Sequence, residues 1–350
     1  MSIRNLLGQT SEWLRGTGPN ADIVMSSRIR LARNLDALAF SHWASKRQER
    51  EVLTRSEAAF AASKILKGSI LIHMNDISDL DKQFLLERHL VSREQIVRPE
   101  FKAVAISDRE MISIMVNEED HLRSQVMQSG FALQEGWRIA NQLDNELSVT
   151  LPFAFDPHWG YLTACPTNTG TGMRASVMLH LPALVMTKQV NRVIQAITKL
   201  GMVVRGLYGE GTDAEGNLFQ VSNQITLGQS EPETIDHIER IIRQIIGHEE
   251  NARKQLIKQN RELLYDKIWR ALGVLKNAYI ITSKETIHHL SMVRLGADLG
   301  VLPEFGRKDV NELFILTQPA HLQRMDGKLL SQSERDIKRA LLIRQKLGGN

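Results

Sequence analysis

Apolar and polar residues alternate along the first clear element of the chain. Residues 23–33 read IVMSSRIRLAR, and this period of two predicts a β-strand. Successive side chains of a strand point to opposite faces, so Arg28 and Arg30 share one face while Ile29 and Leu31 share the other. The pattern therefore predicts a strand that presents two cations on the same side.

Strand and helix patterns continue to alternate over the first 230 residues. Apolar residues three or four positions apart predict helices at residues 46–66, 78–90, 131–148 and 187–199. Short β-rich runs predict strands at residues 102–107, 111–117, 161–164, 174–181, 202–206 and 218–227. The turn-like residues 108–110 separate the first two runs and predict a hairpin. Consecutive strands of this kind favour an α+β fold, in which an antiparallel sheet is flanked by helices.

The pattern changes after about residue 230, where strand signals almost disappear. Isoleucines recur at helical spacing between Ile235 and Ile246, and helix patterns fill the remaining residues. Ser331, followed three residues later by Glu334, fits a capping box at the start of the last helix. We therefore divide the chain into an α+β domain at residues 1–255 and an all-helical C-terminal domain at residues 256–350.

Composition narrows the class of protein. The 350 residues include 44 Lys+Arg and 40 Asp+Glu, with 42% hydrophobic residues, which is typical of a folded globular protein. The small basic excess does not by itself indicate a nucleic-acid surface, since most of the cations are interleaved with acids. A single cysteine, Cys165, excludes an internal disulfide framework and a cysteine-based zinc site. With no apolar run of about 18 residues and no signal-peptide pattern, we expect a cytoplasmic protein without a membrane span.

Three polar segments outside the periodic elements are candidates for chemistry. They are NEEDHLR at residues 117–123, CPTNTGTGMR at residues 165–174 and RGLYGEG at residues 205–211. Taken singly, each has a simple structural interpretation: the acidic triplet is typical of a solvated turn, and the two glycine-containing segments are typical of turn-rich connections. Spacing alone does not decide between these interpretations and a functional one.

Arginine is the residue that these segments share with the first strand. Guanidinium groups gathered in one place repel one another unless a polyanion lies between them, and a nucleoside triphosphate would meet that need. The chain contains neither a P-loop nor the protein-kinase motifs H-R-D and D-F-G, so any ATP chemistry requires another fold. The candidate arginines are Arg28, Arg30, Arg123, Arg174 and Arg205.

Four motifs together resemble the catalytic domain of the phosphagen (guanidino) kinases. They are SSRIRLAR at residues 26–33, NEEDHLR at 117–123, CPTNTGTGMRASV at 165–177 and RGLYGEGTDAEG at 205–216. The resemblance implies that ATP and Mg²⁺ are bound. It also implies that the nucleotide is contacted by Ser27, Arg28, Arg30, Arg123, Arg174, Ser176 and Arg205, with Glu118 supporting magnesium through water.

The same resemblance implies the residues that handle the guanidinium substrate. Glu119 and Glu210 would clamp it, and Cys165 would lie beside the reacting nitrogen as a thiolate, stabilised by cations and the Thr167 hydroxyl. Two carboxylates can orient a guanidinium and accept the departing proton as the phosphoryl group arrives. The alternative for Cys165 is a small buried apolar residue. His121 is expected to be a structural hydrogen-bonding residue.

The placement of the motifs distinguishes two branches of this family. Kinases of free creatine or arginine have a helical domain before the first arginine strand, whereas here that strand begins at Ser26 and about a hundred helical residues follow the catalytic motifs. The chain is in this respect similar to the bacterial protein-arginine kinases, which implies a protein-bound arginine as acceptor. Their R-D-x-x-R-A motif matches residues 335–340 and implies phosphoarginine binding by Arg335, Asp336 and Arg339. A solvated helix face is the alternative interpretation.

The resemblance also implies a cellular role. A protein-arginine kinase of this kind would act in stress response and protein quality control, marking proteins for a Clp ATPase-protease and inactivating a heat-shock transcriptional repressor. A zinc-binding activator protein and a homodimer are expected. Two alternatives remain at this point: a kinase of a free guanidino metabolite, and a phosphoarginine-binding adaptor with an inactive kinase domain. The residues that contact adenine are not assigned, because Met178 and His180 both lie on the strand where relatives often carry a histidine.

Overall fold

One large antiparallel sheet is built from the strands with alternating residues. The computed structural model describes residues 3–206 and 214–348. Its strands, numbered in chain order, are β1 (Val24–Arg33), β2 (Ile70–His73), β3 (Ala103–Ile106), β4 (Ile112–Val116), β5 (Leu122–Ser129), β6 (Phe155–Asp156), β7 (Gly160–Tyr161), β8 (Met173–His180), β9 (Met202–Gly206) and β10 (Leu218–Asn223). Eight of them form one sheet in the order β2-β3-β4-β5-β1-β8-β10-β9, and β6 pairs with β7. The predicted hairpin is β3-β4.

Helices cover this sheet and make up the C-terminal part of the described chain. They are α1 (Ile3–Leu7), α2 (Lys46–Ala62), α3 (Asp79–Glu87), α4 (Arg93–Ile96), α5 (Leu133–Ser148), α6 (Pro182–Met186), α7 (Val190–Lys199), α8 (Glu231–Gln259), α9 (Arg261–Asn277), α10 (Ser283–Asp298), α11 (Arg307–Leu316), α12 (Pro319–Asp326) and α13 (Gln332–Leu347). The predicted α+β fold with a helical C-terminal region is confirmed. No described helix is both long and apolar enough to cross a membrane.

The two faces of the sheet have different partners. Ile29 and Leu31 lie on the apolar face of β1 and are fully buried. Helix α5 packs against β1 and β5, and α8 packs against β8 and β10. Gly136 of α5 lies so close to Ile29 that an added Cβ would come within 3.3 Å of its side chain. The apolar face is therefore closed by helices, and the arginines occupy the opposite face.

Several element boundaries differ from the sequence prediction. Strands β2 and β5 are not among the predicted strands, and the strand predicted at residues 161–164 is reduced to the short pair β6-β7. The helix predicted at residues 187–199 is preceded by the separate helix α6. Helix α8 continues past residue 256, where the second domain is predicted to begin, and breaks at Asn260.

Buried polar contacts fasten the C-terminal helices to the beginning of β1. Arg294 of α10 is fully buried, and it donates to the carbonyl oxygen of Ala21 at 2.7 Å and to Asn311 Oδ1 at 2.9 Å. It also lies 3.5 Å from the carboxylate of Asp298. His180, at the end of β8, bonds Ser291 of the same helix at 2.8 Å. The helical part therefore rests directly on the strands that carry the arginines.

A second contact joins α3 to the beginning of α12. Glu87 accepts hydrogen bonds from the backbone nitrogens of Ala320 and His321, at 2.7 and 3.1 Å, and from His321 Nδ1 at 2.7 Å. A carboxylate at a helix N-terminus satisfies otherwise unpaired backbone donors. Glu87 thus serves as an N-terminal cap that is supplied by another part of the chain.

Candidate active site

Strand register gathers the arginines on one face of the sheet. Arg30 of β1 lies opposite Arg174 of β8 and Gln125 of β5, and Arg28 lies opposite Ser176. Directly opposed residues of an antiparallel pair share a face. We call this surface the arginine face; it is formed by Arg28, Arg30, Arg123, Arg174 and Arg205.

The guanidinium groups of the arginine face lower one another's pKa, because each positive charge disfavours its neighbours' protonated form. Burial, together with the charges of Arg123 and Arg174, lowers the pKa of Arg28 to about 10. Burial and the same neighbours, with Arg28, lower the pKa of Arg30 well below its ordinary value. Burial and the charge of Arg205 lower the pKa of Arg174. The buried Nε of Arg30 has no hydrogen-bond partner among the described residues. Such a face suits a polyanion that would supply both charge and acceptors.

Arg123 is held by the first glutamate of the acidic turn. Its Nη1 lies 2.8 and 2.7 Å from the two carboxylate oxygens of Glu118, whose side chain is fully buried. Burial alone would raise the pKa of Glu118, but the charge of Arg123 and the hydrogen bonds outweigh it, and the pKa is lowered. Asp120 and His121 are also buried. The interpretation of this segment as a solvated turn is therefore wrong, and only Glu119 is exposed.

Hydrogen bonds from three sides hold the acidic turn in place. Asn117 has a left-handed backbone (φ 57°), and its Nδ2 donates to the carbonyl oxygens of Glu49 and Phe101, both at 2.8 Å. Asp120 Oδ1 accepts from Asn34 Nδ2 and from the backbone nitrogen of Ala164, both at 2.7 Å. The turn is thereby joined to α2, to β1 and to the loop that carries Cys165.

His121 completes these connections in the structural role that the sequence predicts. Its Nδ1 accepts from the backbone nitrogen of Leu35 at 3.0 Å, and its Nε2 lies 2.9 Å from the carbonyl oxygen of Ala39. Burial lowers the pKa of His121, so the ring is neutral at neutral pH. Both ring nitrogens have backbone partners, and neither is free for proton transfer to a substrate.

Glu119 and Cys165 line one cavity of about 850 Å³. The Glu119 side chain reaches solvent, but its partial desolvation at the cavity wall, together with the charge of Asp120, raises its pKa. Cys165 Sγ lies 3.0 Å from Thr167 Oγ1, which is the contact that the resemblance implies. A carboxylate and a thiol facing the same cavity can orient a cationic guanidinium and accept its proton. Glu210, the second predicted carboxylate, lies outside the described residues.

A narrow slot beside Arg28 was not predicted from the sequence. It is lined by Trp13, His89, Met127 and Met178, and Ser176 lies at its edge. The buried Trp13 Nε1 and His89 Nε2 atoms have no hydrogen-bond partner among the described residues. Burial and the charge of Arg28 lower the pKa of His89 to about 4. Strand alternation could have found the two methionines, but no local pattern brings Trp13 and His89, which are distant in sequence, to this strand.

The two predicted serines are on opposite faces of the sheet. Ser176 lies on the arginine face, where its Oγ is 3.4 Å from Arg28 Nε. The Ser27 hydroxyl donates to the Gly130 carbonyl oxygen at 2.8 Å and accepts from the Ala132 backbone nitrogen at 3.0 Å. The Ser27 side chain is therefore not part of the arginine face, because it is one position out of register with Arg28. His180 likewise bonds Ser291 and not the slot.

The R-D-x-x-R-A segment lies in α13, which begins with the predicted capping box of Ser331 and Glu334. Arg335 is half-buried, whereas Arg339 is buried. Arg339 Nε donates to the Thr317 carbonyl oxygen at 2.8 Å, and its Nη1 donates to the Ile281 carbonyl oxygen at 2.9 Å and to Asp336. Two of the five N–H donors of Arg339 therefore have backbone acceptors and a third bonds Asp336, and joint phosphate binding by Arg335 and Arg339 stays a prediction. Arg335 is the more accessible cation.

Among residues 3–206 and 214–348, no cluster of three or more His, Cys, Asp or Glu side chains could hold a metal ion directly. Both oxygens of Glu118 already accept hydrogen bonds from Arg123. The described residues therefore do not fit a magnesium site built by protein ligands alone, whereas the arginine face does fit a triphosphate.

Comparison with known proteins agrees with this geometry. The ATP:guanido phosphotransferase C-terminal catalytic domain matches residues 51–252, and the protein-arginine kinase McsB C-terminal domain matches residues 261–349. The protein-arginine kinase of Symbiobacterium thermophilum is 51% identical over 340 residues, which is 96% of each chain. That of Bacillus subtilis is 45% identical over 350 residues, covering 99% of this chain and 96% of the relative.

Solved structures show the same fold at lower identity. A lombricine kinase is 23% identical with a TM-score of 0.60, and the match covers 69% of this chain and 71% of that chain. The duplicated taurocyamine kinase of Schistosoma mansoni, with bound transition-state analogue components, is 24% identical with a TM-score of 0.60. That match covers 67% of this chain and 34% of the longer one.

Proposed function

Because this chain belongs to the protein-arginine kinases of the ATP:guanido phosphotransferase family, we propose that its arginine face holds the phosphates of ATP. The cavity of Glu119 and Cys165 would then receive an arginine side chain of a protein. One observation carries the proposal: guanidinium groups that lower one another's pKa occupy a single face, and the buried Nε of Arg30 has no partner among the described residues. A triphosphate between them relieves the repulsion and supplies the acceptor.

The slot beside Arg28 has a volume of only about 30 Å³, so we place the edge of the nucleotide base against it, with the rest of the base outside. The slot offers apolar surface from Met127 and Met178 and two ring nitrogens without partners among the described residues, from Trp13 and His89. The edge of a purine carries hydrogen-bond donors and acceptors, and the slot lining offers partners for them beside apolar surface. His89 stays neutral at neutral pH, so it can donate through one ring nitrogen and accept through the other.

Catalysis in this proposal depends on charge placement and proton removal. Arg123, fixed by Glu118, lies beside the γ-phosphoryl group and stabilises the charge that develops on its oxygens. Magnesium carried by the nucleotide would neutralise further phosphate charge. Glu119 orients the acceptor guanidinium and takes one proton as a guanidinium nitrogen forms its bond to the γ-phosphorus and ADP departs. Its raised pKa makes it a stronger base than an ordinary glutamate.

The family resemblance implies that Glu210 and Cys165 complete the acceptor site. Glu210 would provide the second carboxylate of the clamp, and Cys165 would stabilise the positive charge near the reacting nitrogen. Arg335, Asp336 and Arg339 would bind the phosphoarginine product in the helical region, with Arg335 as the more accessible cation. Phosphoarginine on client proteins would direct them to a Clp ATPase-protease in the cytoplasm during stress, and would inactivate a heat-shock repressor. A zinc-binding activator and a homodimer belong to the same proposal, which rests here on the family resemblance.

The substitution Glu119→Gln tests the acceptor site. Glutamine keeps the shape of the side chain but cannot accept the proton of the guanidinium. We therefore expect turnover of an unfolded arginine-rich protein to fall by a factor of about 10²–10⁴. Mass spectrometry that preserves phosphoramidates measures the product. Glu100→Gln is the matched control, since Glu100 lines the same cavity but forms an exposed pair with Lys46. Undiminished turnover in Glu119→Gln, or fast turnover of free L-arginine with none of the protein, contradicts the proposal.

A further inference from the structure

A loop at the edge of the candidate acceptor cavity carries an exposed tryptophan. We call residues 36–44 the rim loop. Ser41 and His42 line the cavity of Glu119 and Cys165, and the adjoining Trp43 is 79% exposed. Tryptophan is a large apolar side chain that is rarely left in water, and it is enriched at the energetic centres of protein interfaces. The position of Trp43 at a functional cavity therefore requires an explanation beyond folding.

The rim loop is fixed to the acidic turn. His121 bonds the backbone of Leu35 and of Ala39 at the base of the loop, at 3.0 and 2.9 Å. The Asp36 backbone nitrogen donates to the Pro152 carbonyl oxygen at 2.8 Å. Toward the tip, the backbone nitrogen of Trp43 donates to the carbonyl oxygen of Phe40 at 2.8 Å. The same turn that presents Glu119 therefore holds the base of the loop that carries Trp43.

The hydrogen bonds of Asp36 and of Trp43 are made by backbone atoms, so they hold the loop without using the indole ring. The ring has an aromatic neighbour in His42, with the ring centroids 5.8 Å apart in an edge arrangement. His42 lines the cavity, and the exposed Trp43 ring is its neighbour. The indole ring of Trp43 thus lies next to a residue of the cavity lining.

We propose that the rim loop docks the polypeptide segment that flanks the target arginine, with an apolar side chain of that segment packing on Trp43. This inference rests on the proposed function, in which the cavity receives an arginine that is still attached to its protein. The backbone of that arginine has to leave through the cavity mouth, so residues next to it in sequence pass over the rim. Trp43 then selects segments that expose an apolar residue near an arginine.

This chemistry favours unfolded clients over folded ones. In a folded protein most large apolar side chains are buried, whereas arginine stays at the surface. An arginine and an accessible apolar neighbour occur together mainly where a chain has opened. An apolar docking residue beside a guanidinium pocket therefore recognises unfolded segments without reading a fixed sequence.

Peptide substrates test the docking role directly. We compare turnover of a five-residue peptide with one central arginine and four glycines, blocked at both ends, with peptides in which one glycine is replaced by leucine. For the unmodified enzyme we expect the best leucine peptide to have about tenfold higher kcat/KM than the glycine peptide, the ratio given by about 1.4 kcal/mol of apolar contact. Trp43→Ala should abolish the preference for leucine and leave turnover of the glycine peptide unchanged. Trp43→Phe should retain most of the preference for leucine.

Trp269→Ala is the matched control, since Trp269 is 50% exposed but lies on α9 in the helical region. It should keep the preference for leucine. The proposal is overturned if the unmodified enzyme shows no preference for leucine peptides. It is also overturned if Trp43→Ala keeps that preference or slows turnover of the glycine and leucine peptides equally. Failure of the acceptor site gives a different result, because Glu119→Gln would then leave turnover of the glycine peptide intact.

Discussion

Asn117 shows how one side chain can position a reactive neighbour without touching the substrate. Its left-handed backbone turns the chain at the end of β4, and its backbone nitrogen donates to the His121 carbonyl oxygen at 2.9 Å. Its Nδ2 group bridges the carbonyl oxygens of Glu49 and Phe101. Asparagine tolerates the left-handed region better than most residues with a side chain. The residue thus combines the turn conformation with the two bonds that fix it.

Substitution of Asn117 separates these two contributions. Asn117→Gly keeps the left-handed conformation but loses both side-chain bonds, and Asn117→Ala loses the bonds and adds backbone strain of about 1 kcal/mol. We expect kcat for a protein substrate to fall at least about tenfold in both variants, with Asn117→Ala the less stable of the two.

Lys188 provides the control for this pair, because it is exposed and also left-handed (φ 58°) but lies between α6 and α7. Its glycine and alanine variants should differ in stability and keep kcat. Kinetics and chemical denaturation of the four variants measure both effects. Full kcat in Asn117→Gly would show that the backbone conformation alone is sufficient.

His89, which lines the slot beside Arg28, makes the free energy of unfolding depend on pH. Its pKa is about 4 in the folded chain, lowered by burial and by Arg28, against an ordinary value of 6.5. Between these two values the unfolded chain binds a proton that the folded chain does not, so the free energy of unfolding falls as pH drops from 6.5 toward 4. Above this range the residue has no effect on the pH dependence.

Denaturation at about pH 7, 6 and 5 checks this expectation. His89→Gln has no titrating ring, so its loss of stability on acidification across that range should be smaller than in the unmodified chain. Other buried histidines with lowered pKa, such as His180 and His321, leave part of the dependence in both proteins. Parallel pH profiles for the two proteins would be inconsistent with a neutral, buried His89.

At the scale of elements, alternation predicted β1 and β8 well, and with them the arginines that those strands carry. Strand β5 (LRSQVMQS) escaped detection because Ser124 and Gln125 are buried polar residues that break the apolar alternation. Gln125 is satisfied by the His89 carbonyl oxygen at 2.7 Å, a contact that no local pattern reveals. Sequence therefore predicts elements whose pattern is local and misses those that depend on partners elsewhere in the chain.

The candidate active site likewise has parts that a local pattern predicts and parts that depend on distant partners. The arginines and Glu119 lie where the motifs and strand pattern place them, whereas the slot formed by Trp13 and His89 joins two distant segments. The burial of Glu118 could not be read from an acidic triplet, because it depends on the ion pair with Arg123. For Ser27, the alternation rule itself gives the opposite face from Arg28, and the hydroxyl indeed bonds there.

The loop between β7 and β8 offers a test at this scale. Gly170 has φ 112°, and a Cβ at this position would lie 2.1 Å from the Thr226 carbonyl oxygen. The loop carries Cys165, and Thr226 Oγ1 holds it through the carbonyl oxygens of Thr167 and Thr169, at 3.0 and 2.7 Å. We expect Gly170→Ala to displace this loop and to lower kcat by at least about tenfold.

Gly68→Ala isolates the effect of backbone conformation. Gly68 also has a positive φ (83°), but nothing lies within 4 Å of a Cβ added there. This variant should lose about 1 kcal/mol of stability and keep its activity. Kinase assays with thermal denaturation compare the two variants. Equal losses of activity in both would show that the close approach to Thr226 is not what matters.

In the whole molecule, buried arginines join the helical region to the sheet. Arg253 of α8 donates to Glu249 Oε1 at 2.9 Å and to the Asp22 carbonyl oxygen at 3.1 Å, and Arg294 donates to Ala21 beside it. Glu249 in turn accepts from the first backbone nitrogens of α6. These contacts meet just before β1, so unfolding of the helical region would remove the support of the strand that carries Arg28 and Arg30.

Replacement of Arg294 should therefore weaken the whole molecule. Arg294→Met keeps much of the volume but leaves Asp298 and Asn311 without this buried partner, and we expect a loss of about 3–5 kcal/mol. Arg270→Met removes an exposed pair with Asp266 and should have a much smaller effect, because water already screens that pair. Chemical denaturation measures both. A loss of similar size in the two variants would contradict a supporting role for Arg294.

The arginine face has a consequence for how nucleotide binding is measured. Cations that repel one another at this density attract any small oxyanion in solution, and sulfate or phosphate from a buffer offers the same oxygens as a nucleotide. In such a buffer ATP has to displace bound anions, so the measured affinity describes the exchange of an anion for ATP and not the binding of ATP alone. The dissociation constant will rise with the concentration of sulfate more steeply than ionic strength alone explains, and chloride will produce the smaller, screening effect.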